Sequence, residues 1–517
     1  MGGEPGHEGV GRRWRRWRRW WWWRWRRSQS RGAPPNNNMH SSTPPSIIAS
    51  VRSSSFFRLS RRPAHTPPSL PAGKDSDARR PSGLAVTRAQ PPARRRAARL
   101  LTVLAAAVVT CVPLGARAQH LLVPMDDNQA NHLKAYGLTF NALRDGNKAE
   151  WFINYRGGSF LLPDLSELRK RATLDGVTFE PVDNGRLAAI RSEIASGNMD
   201  AISLERAPKV AIYRPAKSPP WDDAVTLALQ YAGIEFASVY DEEVMAGDLS
   251  KYDWLHLHHE DFTGQQNKLY LGFRDTPWFI EQRERAMASA RKLGFATIPA
   301  MKKAVAEKMR QFVERGGFLF AMCGATETLS LAIAAYQTDI AGSFADGTPV
   351  DEAADSKMDW DRSFAFKDVH LEPSPFVNSM SDIDGHQVNV PGRRQPLGQF
   401  TLFQFSAKFD PVSSMLVQDH RTVIQDFYGV TTSFNKATIK QGVTVLAQEE
   451  GAPWAKYIHG DYGKGSWTYL GGHDPEDPQH NIGAAPTDLS LHPTSPGYRL
   501  ILNNVLFPAA KKKPLKT

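Results

Sequence analysis

Cysteine is almost absent: the 517-residue chain contains 2, Cys111 and Cys323. That excludes a disulfide framework and any cysteine-rich zinc module. Long apolar runs are missing too. The best candidate, Leu100 to Leu114, is about 15 residues, short of the ~20 that span a bilayer as a helix. No G-x-x-x-x-G-K-[ST] phosphate loop and no tandem repeat occur. Acidic residues are scarce at the start. Through Ala118 there are 4 Asp/Glu against 23 Lys/Arg, a net of +19, whereas the remainder holds 49 against 41, a net of −8. The formal +11 therefore belongs to a leader. The body has no basic excess from which to build a nucleic-acid face, so no nucleic-acid partner is expected.

In residues 1–94, Trp14, Trp17, Trp20 to Trp23 and Trp25 alternate with arginines, and Pro/Ser/Arg-rich sequence follows. Such composition predicts disorder. No amphipathic period organises the tryptophans. We therefore read the stretch as lying upstream of the true translation start, rather than as a membrane-active peptide. Across 95–118, Arg95, Arg96 and Arg99 (with Arg94 just before) form a positive region. Leu100 to Leu114 is apolar, and Ala116-Arg117-Ala118 is a small-x-small cleavage site. This predicts a secretory signal peptide, with an uncleaved anchor as the alternative. The expected location is exported, periplasmic or secreted, free of the membrane after cleavage. Cys323 is then the single thiol of the mature chain, either buried or reactive.

The body alternates apolar strands with helical periods, in an N-terminal α/β unit (119–206) and a larger domain (207–510). Residues 340–400 look inserted and 511–517 form a basic tail. In the second unit Val305, Met309 and Phe312 share one helix face, and Phe318 to Met322 is continuously apolar. That pattern predicts an α/β fold with a doubly wound, mostly parallel sheet flanked by helices.

The sharpest local feature is the run from Phe318 to Leu329, where a buried strand meets Cys323-Gly324-Ala325 and then a helix. Small residues there allow the tight turn of a nucleophile elbow. The helix N-terminus favours a thiolate, and the Gly324 N–H offers an oxyanion donor. A small buried core cysteine is the alternative. His473, after the strand Ser466 to Leu470, is the candidate base, with Asp474, Glu476 or Asp477 to orient it. A polar surface loop would have the same composition. His258-His259-Glu260-Asp261 closes another strand and reads as substrate-binding. Phe262-Thr263-Gly264 follows, with backbone N–H groups suited to an oxyanion. The histidine spacing, even with His473 and His480 added, matches no standard zinc motif, so neither metal nor cofactor is expected.

These residues resemble the class I glutamine amidotransferase-like superfamily. The Cys323 turn is similar to that family's G-x-C-x-G elbow, with Ala321 and Ala325 in place of Gly. Tyr462-Gly463-Lys464-Gly465 through Gly472-His473, then Gly497-Tyr498 to Val505, resembles the end of the ThuA-like (trehalose-utilisation) branch. Leu121 to Asp126 and Tyr155 to Phe160 look like exported bacterial proteins labelled asparagine synthetase B. The family's His-x-Glu places its acid where Pro475 stands, with Glu476 one residue on. The resemblance implies a flavodoxin-like sheet and an amidase or hydrolase using Cys323, His473 and Glu476. Gly324, Gly264, His258, His259 and Glu260 would face a small-molecule or carbohydrate substrate. A ThuA-like sugar-binding or sugar-metabolising protein without cysteine catalysis is the second expectation, with Trp254 and Trp278 as aromatic walls. An asparagine synthetase B-labelled protein of unassigned activity is the third.

Overall fold

The protein is described by a computed structural model over residues 119–215, 223–377, 379–385, 398–418, 421–479 and 485–511. The expected leader and signal peptide, His480, and the tail beyond Lys511 lie outside these residues.

The first sheet consists of β1 (His120–Val123), β2 (Ala149–Ile153), β3 (Ser159–Pro163), β4 (Glu180–Val182) and β5 (Asp200–Leu204), in the order β4-β1-β3-β2-β5. Every pairing in it is antiparallel, although strands and helices alternate along the chain. The tight return at Asn154 to Gly158 explains part of this. Asn154, Arg156, Gly157 and Gly158 all take positive φ, which lets β2 double straight back into β3. Three helices complete the unit: α1 (His132–Arg144), α2 (Ser166–Leu174) and α3 (Asn184–Ser196). Asn131 and Asp183 cap α1 and α3, each accepting a first-turn N–H that would otherwise lack a partner.

The second sheet takes its strands from the rest of the chain. These are β6 (Val210–Tyr213), β7 (Ala237–Val239), β8 (Trp254–Leu257), β9 (Phe318–Met322), β10 (Gln399–Leu402), β11 (Val423–Gln425), β12 (Phe434–Asn435), β13 (Thr444–Glu449), β14 (Trp454–Tyr462) and β15 (Gly465–Leu470). Their order is β11-β10-β13-β14-β15-β9-β8-β6-β7, with β12 on β14. The half β7-β6-β8-β9-β15 is parallel and the other half antiparallel. Helices α4 (Ala224–Ala232), α5 (Pro277–Lys292), α6 (Ile298–Glu314), α7 (Cys323–Ala334) and α8 (Pro496–Leu506) accompany it.

Strand β9 shows why the sheet is covered on both sides. Phe318, Phe320 and Met322 join one core with α4 and α8. Leu319 and Ala321 join the other with α6 and α7. Burial on both faces is what its unbroken apolarity requires. The architecture is therefore mixed α/β, a large mixed sheet between helical layers.

Helix α8 ties the two sheets together. The buried Arg499 guanidinium donates to the Met125 carbonyl at 3.1 Å, to the Gly157 carbonyl, and from Nε to the Tyr136 hydroxyl at 3.2 Å. On the other side Trp254 Nε1 donates to the Asn504 carbonyl at 3.0 Å. One apolar core runs across both units.

Candidate functional site

Three neighbouring parallel strands end together. Leu257 of β8 stands beside Ala321 of β9, and Met322 beside Leu470 of β15. The residues that follow are His258, Cys323 and, past two glycines, His473. Ligand sites in open α/β sheets sit beyond such carboxyl ends. The ends are laced by backbone hydrogen bonds. Cys323 N–H donates to the Gly472 carbonyl at 3.1 Å, and Ala325 N–H to the His258 carbonyl at 3.0 Å.

Cys323 has φ 51°, in the left-handed region, and it is itself the first residue of α7. A non-glycine residue held this way costs about 1–3 kcal/mol and persists only where its surroundings impose it. Its Sγ accepts the Val430 N–H at 3.2 Å. The Gly324 N–H is a first-turn donor of α7. The sulfur is enclosed: Cys323 is 0% exposed and joins the core shared by α4 and α8. Gly429 packs over it, where a Cβ would stand 2.9 Å from the Gly472 backbone and 3.1 Å from the sulfur.

The histidines form a chain. His256 Nδ1 lies 2.9 Å from the Phe320 carbonyl, which can only accept, so that nitrogen carries a proton. His256 Nε2 is 3.2 Å from His258 Nδ1, and His258 Nε2 is 3.0 Å from His473 Nδ1. Asp223 Oδ1 stands 3.4 Å from His256 Nε2 and 3.5 Å from His258 Nδ1. Burial opposes ionisation of Asp223, but the two imidazoles outweigh it and hold the carboxyl well below the usual range. With its proton on Nδ1, a neutral His256 can only accept at Nε2, so the proton between the two rings sits on His258 Nδ1, beside the carboxylate. His258 Nε2 then accepts from His473 Nδ1–H, and His473 Nε2 is its basic nitrogen.

His256 and His258 share a face because strand side chains repeat every second residue. Neither His256 nor Asp223 stands out in the sequence reading. Asp223 is also the N-cap of α4, accepting the Val225 and Thr226 N–H groups. An acid before an apolar helical period is the signal that could have located it.

The other sequence candidates separate. Glu476 pairs with His492 Nδ1 at 3.0 Å, and Asp474 accepts from the Glu476 N–H and the Thr487 hydroxyl. The carboxylate at the far end of the His473 chain is Asp223. Glu260 accepts the His258 N–H at 3.0 Å. Burial raises its carboxyl, opposed by His259. Asp261 accepts from Thr263 and from the Asn267 N–H at 2.7 Å, fixing a turn in which Gln266, Asn267 and Lys268 all have positive φ. Gly264 is a turn glycine: its N–H donates to the Asp261 carbonyl at 3.4 Å, and a Cβ would strike the Pro299 backbone at 2.6 Å. Trp254 is core, and Trp278 is exposed on α5 beside Phe273 and Phe279.

One further group lies a turn beyond Cys323. Glu327 is buried, with Ser381 Oγ donating to it at 2.6 Å and Thr431 Oγ1 at 3.2 Å. Burial, opposed by these hydroxyls, pushes its carboxyl up to about 8, so it is protonated at neutral pH.

No protein-family model matches the chain, and no curated protein does. Among solved structures, a cytoplasmic protein of Salmonella typhimurium, STM3548, matches with 11% identity over 59% of this chain and 100% of its own, at a TM-score of 0.29. A second Salmonella typhimurium LT2 cytoplasmic protein, STM1381, matches with 12% identity over 59% of this chain and 100% of its own, also at 0.29. A β-galactosidase from Bacillus circulans sp. alkalophilus matches with 12% identity over 51% of this chain and 28% of its own, at 0.22.

Proposed function

We propose that this chain is an exported cysteine-dependent hydrolase acting on an amide or related acyl bond, its parallel half doubly wound as in class I glutamine amidotransferase-like proteins. One observation carries the reading. Cys323 is held at φ 51° between the end of a central parallel strand and a helix N-terminus, with His473 on the adjoining strand end. Strain of this kind at a strand–helix turn supports a nucleophile more than ordinary packing, which asks nothing of φ.

The steps follow from the groups present. Cys323 Sγ attacks the carbonyl carbon while its proton passes to His473 Nε2. The Gly324 N–H steadies the oxyanion. The C–N bond breaks and His473 returns the proton to the leaving amine. Water then cleaves the thioester with His473 again as base. His258, backed by Asp223, takes the orienting role expected of Glu476. Because Cys323 is enclosed, turnover requires the Gly429–Val430 cover to move. Export rests on the signal-peptide pattern.

The test is turnover of a panel of small amides, glutamine included, alongside iodoacetamide labelling of the folded chain. Loss of both with Cys323→Ala is expected. Full turnover by that variant, or a wild-type thiol that never labels, would overturn the reading.

A further inference from the structure

We propose that His258, His259 and His473 form a binding site for one divalent transition-metal ion of the zinc type, and that occupancy switches off the cysteine chemistry by taking His473. The second half rests on the function proposed above; the first does not.

Sequence spacing hides this site because His473 lies 215 residues beyond His258. In the fold, one ring nitrogen from each of the three histidines lies within 4.8 Å of the others. His258 and His473 contribute a nitrogen pair 3.0 Å apart, close to the ~3.3 Å that two nitrogens subtend at a tetrahedral zinc with bonds of about 2.0–2.1 Å. The His259 ring, centred 5.5 Å from that of His258 and 5.9 Å from that of His473, has to move closer to complete the set. His258 and His473 are buried and His259 is partly exposed, which gives an ion a way in.

The surroundings suit a ligand set. Asp223 stands behind His258 Nδ1 and aims its Nε2 lone pair at the proposed ion, the carboxylate–histidine arrangement that supports metal-bound imidazoles. Three neutral nitrogens favour zinc-like ions over magnesium or calcium, and they leave a fourth position for water.

The proton balance sets the consequence. In the metal-free protein His473 carries its proton on Nδ1, donated to His258. Coordination through Nδ1 needs that lone pair, so the proton must leave Nδ1. A neutral ring then bears its proton on Nε2, the nitrogen the cysteine reaction uses as base. Metal binding and acceptance of the thiol proton are mutually exclusive states of one imidazole.

The experiment uses the full chain, stripped with a chelator and titrated with Zn²⁺ and, separately, Co²⁺. One equivalent should bind, with a tetrahedral Co²⁺ visible spectrum and affinity that weakens as pH falls. His259→Ala and His473→Ala should each weaken binding beyond the ~10–100-fold that changes behind a ligand cost. Cys323→Ala should leave binding intact, and Zn²⁺ should slow iodoacetamide labelling of the wild type. Failure to bind either ion, or binding untouched by both histidine variants, overturns the site. Metal binding with no effect on labelling overturns the switch. An inert thiol in the metal-free protein, with the ion still bound, overturns the hydrolase reading and leaves the site standing.

Discussion

Nε2 of His258 lies 3.0 Å from Nδ1 of His473, and the contact joins the ends of β8 and β15 across the end of β9. It makes His258 the group that orients the proposed base. His258→Ala should cut the pH 7 alkylation rate of Cys323, and turnover of any amide found as substrate, by about 10²-fold, the lower end of what a positioned base contributes. A pH–rate profile separates this from a general structural effect: the variant should lose the neutral-pH inflection and follow an ordinary thiol.

The left-handed backbone at Cys323 predicts an unusual order of stabilities. Cys323→Gly should be more stable than Cys323→Ala by about 1 kcal/mol, because glycine adopts φ 51° without steric cost. Urea midpoints of the two variants provide the measurement. An alanine variant more stable than the glycine variant contradicts the strain.

Glu327 sets a pH dependence. Its folded carboxyl titrates near 8 against an ordinary value of 4.5. Between those values the unfolded chain has released the proton and the folded chain retains it, so stability falls as pH rises through the window and levels off above it. Glu327→Gln should remove this slope. The gain over wild type should grow by up to about 1.4 kcal/mol per pH unit across the window, read from denaturation at pH 5, 7 and 9.

Asp223 has the opposite sign. Its folded carboxyl lies below the ordinary range, so its contribution is present above pH ~4 and fades as pH falls further. Asp223→Asn retains the capping oxygen for α4 but leaves the histidines without a carboxylate. A loss of about 1.5–3 kcal/mol is expected at neutral pH, the worth of a hydrogen bond to a charged group, shrinking below pH 4. An equal loss at pH 7 and pH 3 would contradict a role for the charge.

Much of the site was legible because its parts carry local signals. The apolar run Phe318 to Met322 and the small residues after it announce a buried strand and a tight turn, and both are present. His258 and His473 read as strand-end residues and converge. Pairing direction was not legible in the first unit, since alternation of strands and helices does not specify parallel neighbours when a hairpin such as Asn154 to Gly158 intervenes. Nor was the partner of His473. Glu476 is close in sequence but turns to His492, whereas Asp223 acts from 250 residues away because α4 begins beside the end of β8. Such contacts follow from strand order, which no local pattern encodes.

Helix α8 carries a consequence for folding. The Arg499 guanidinium that fastens the first sheet to the second lies 374 residues beyond Met125 and 342 beyond Gly157, whose carbonyls it holds. The first strands can collapse on nearby contacts, yet their docking waits for this distant partner. Until it arrives, the unit keeps apolar surface uncovered. Removing the clasp, as in Arg499→Ala, should leave a product that chaperones hold and proteases remove.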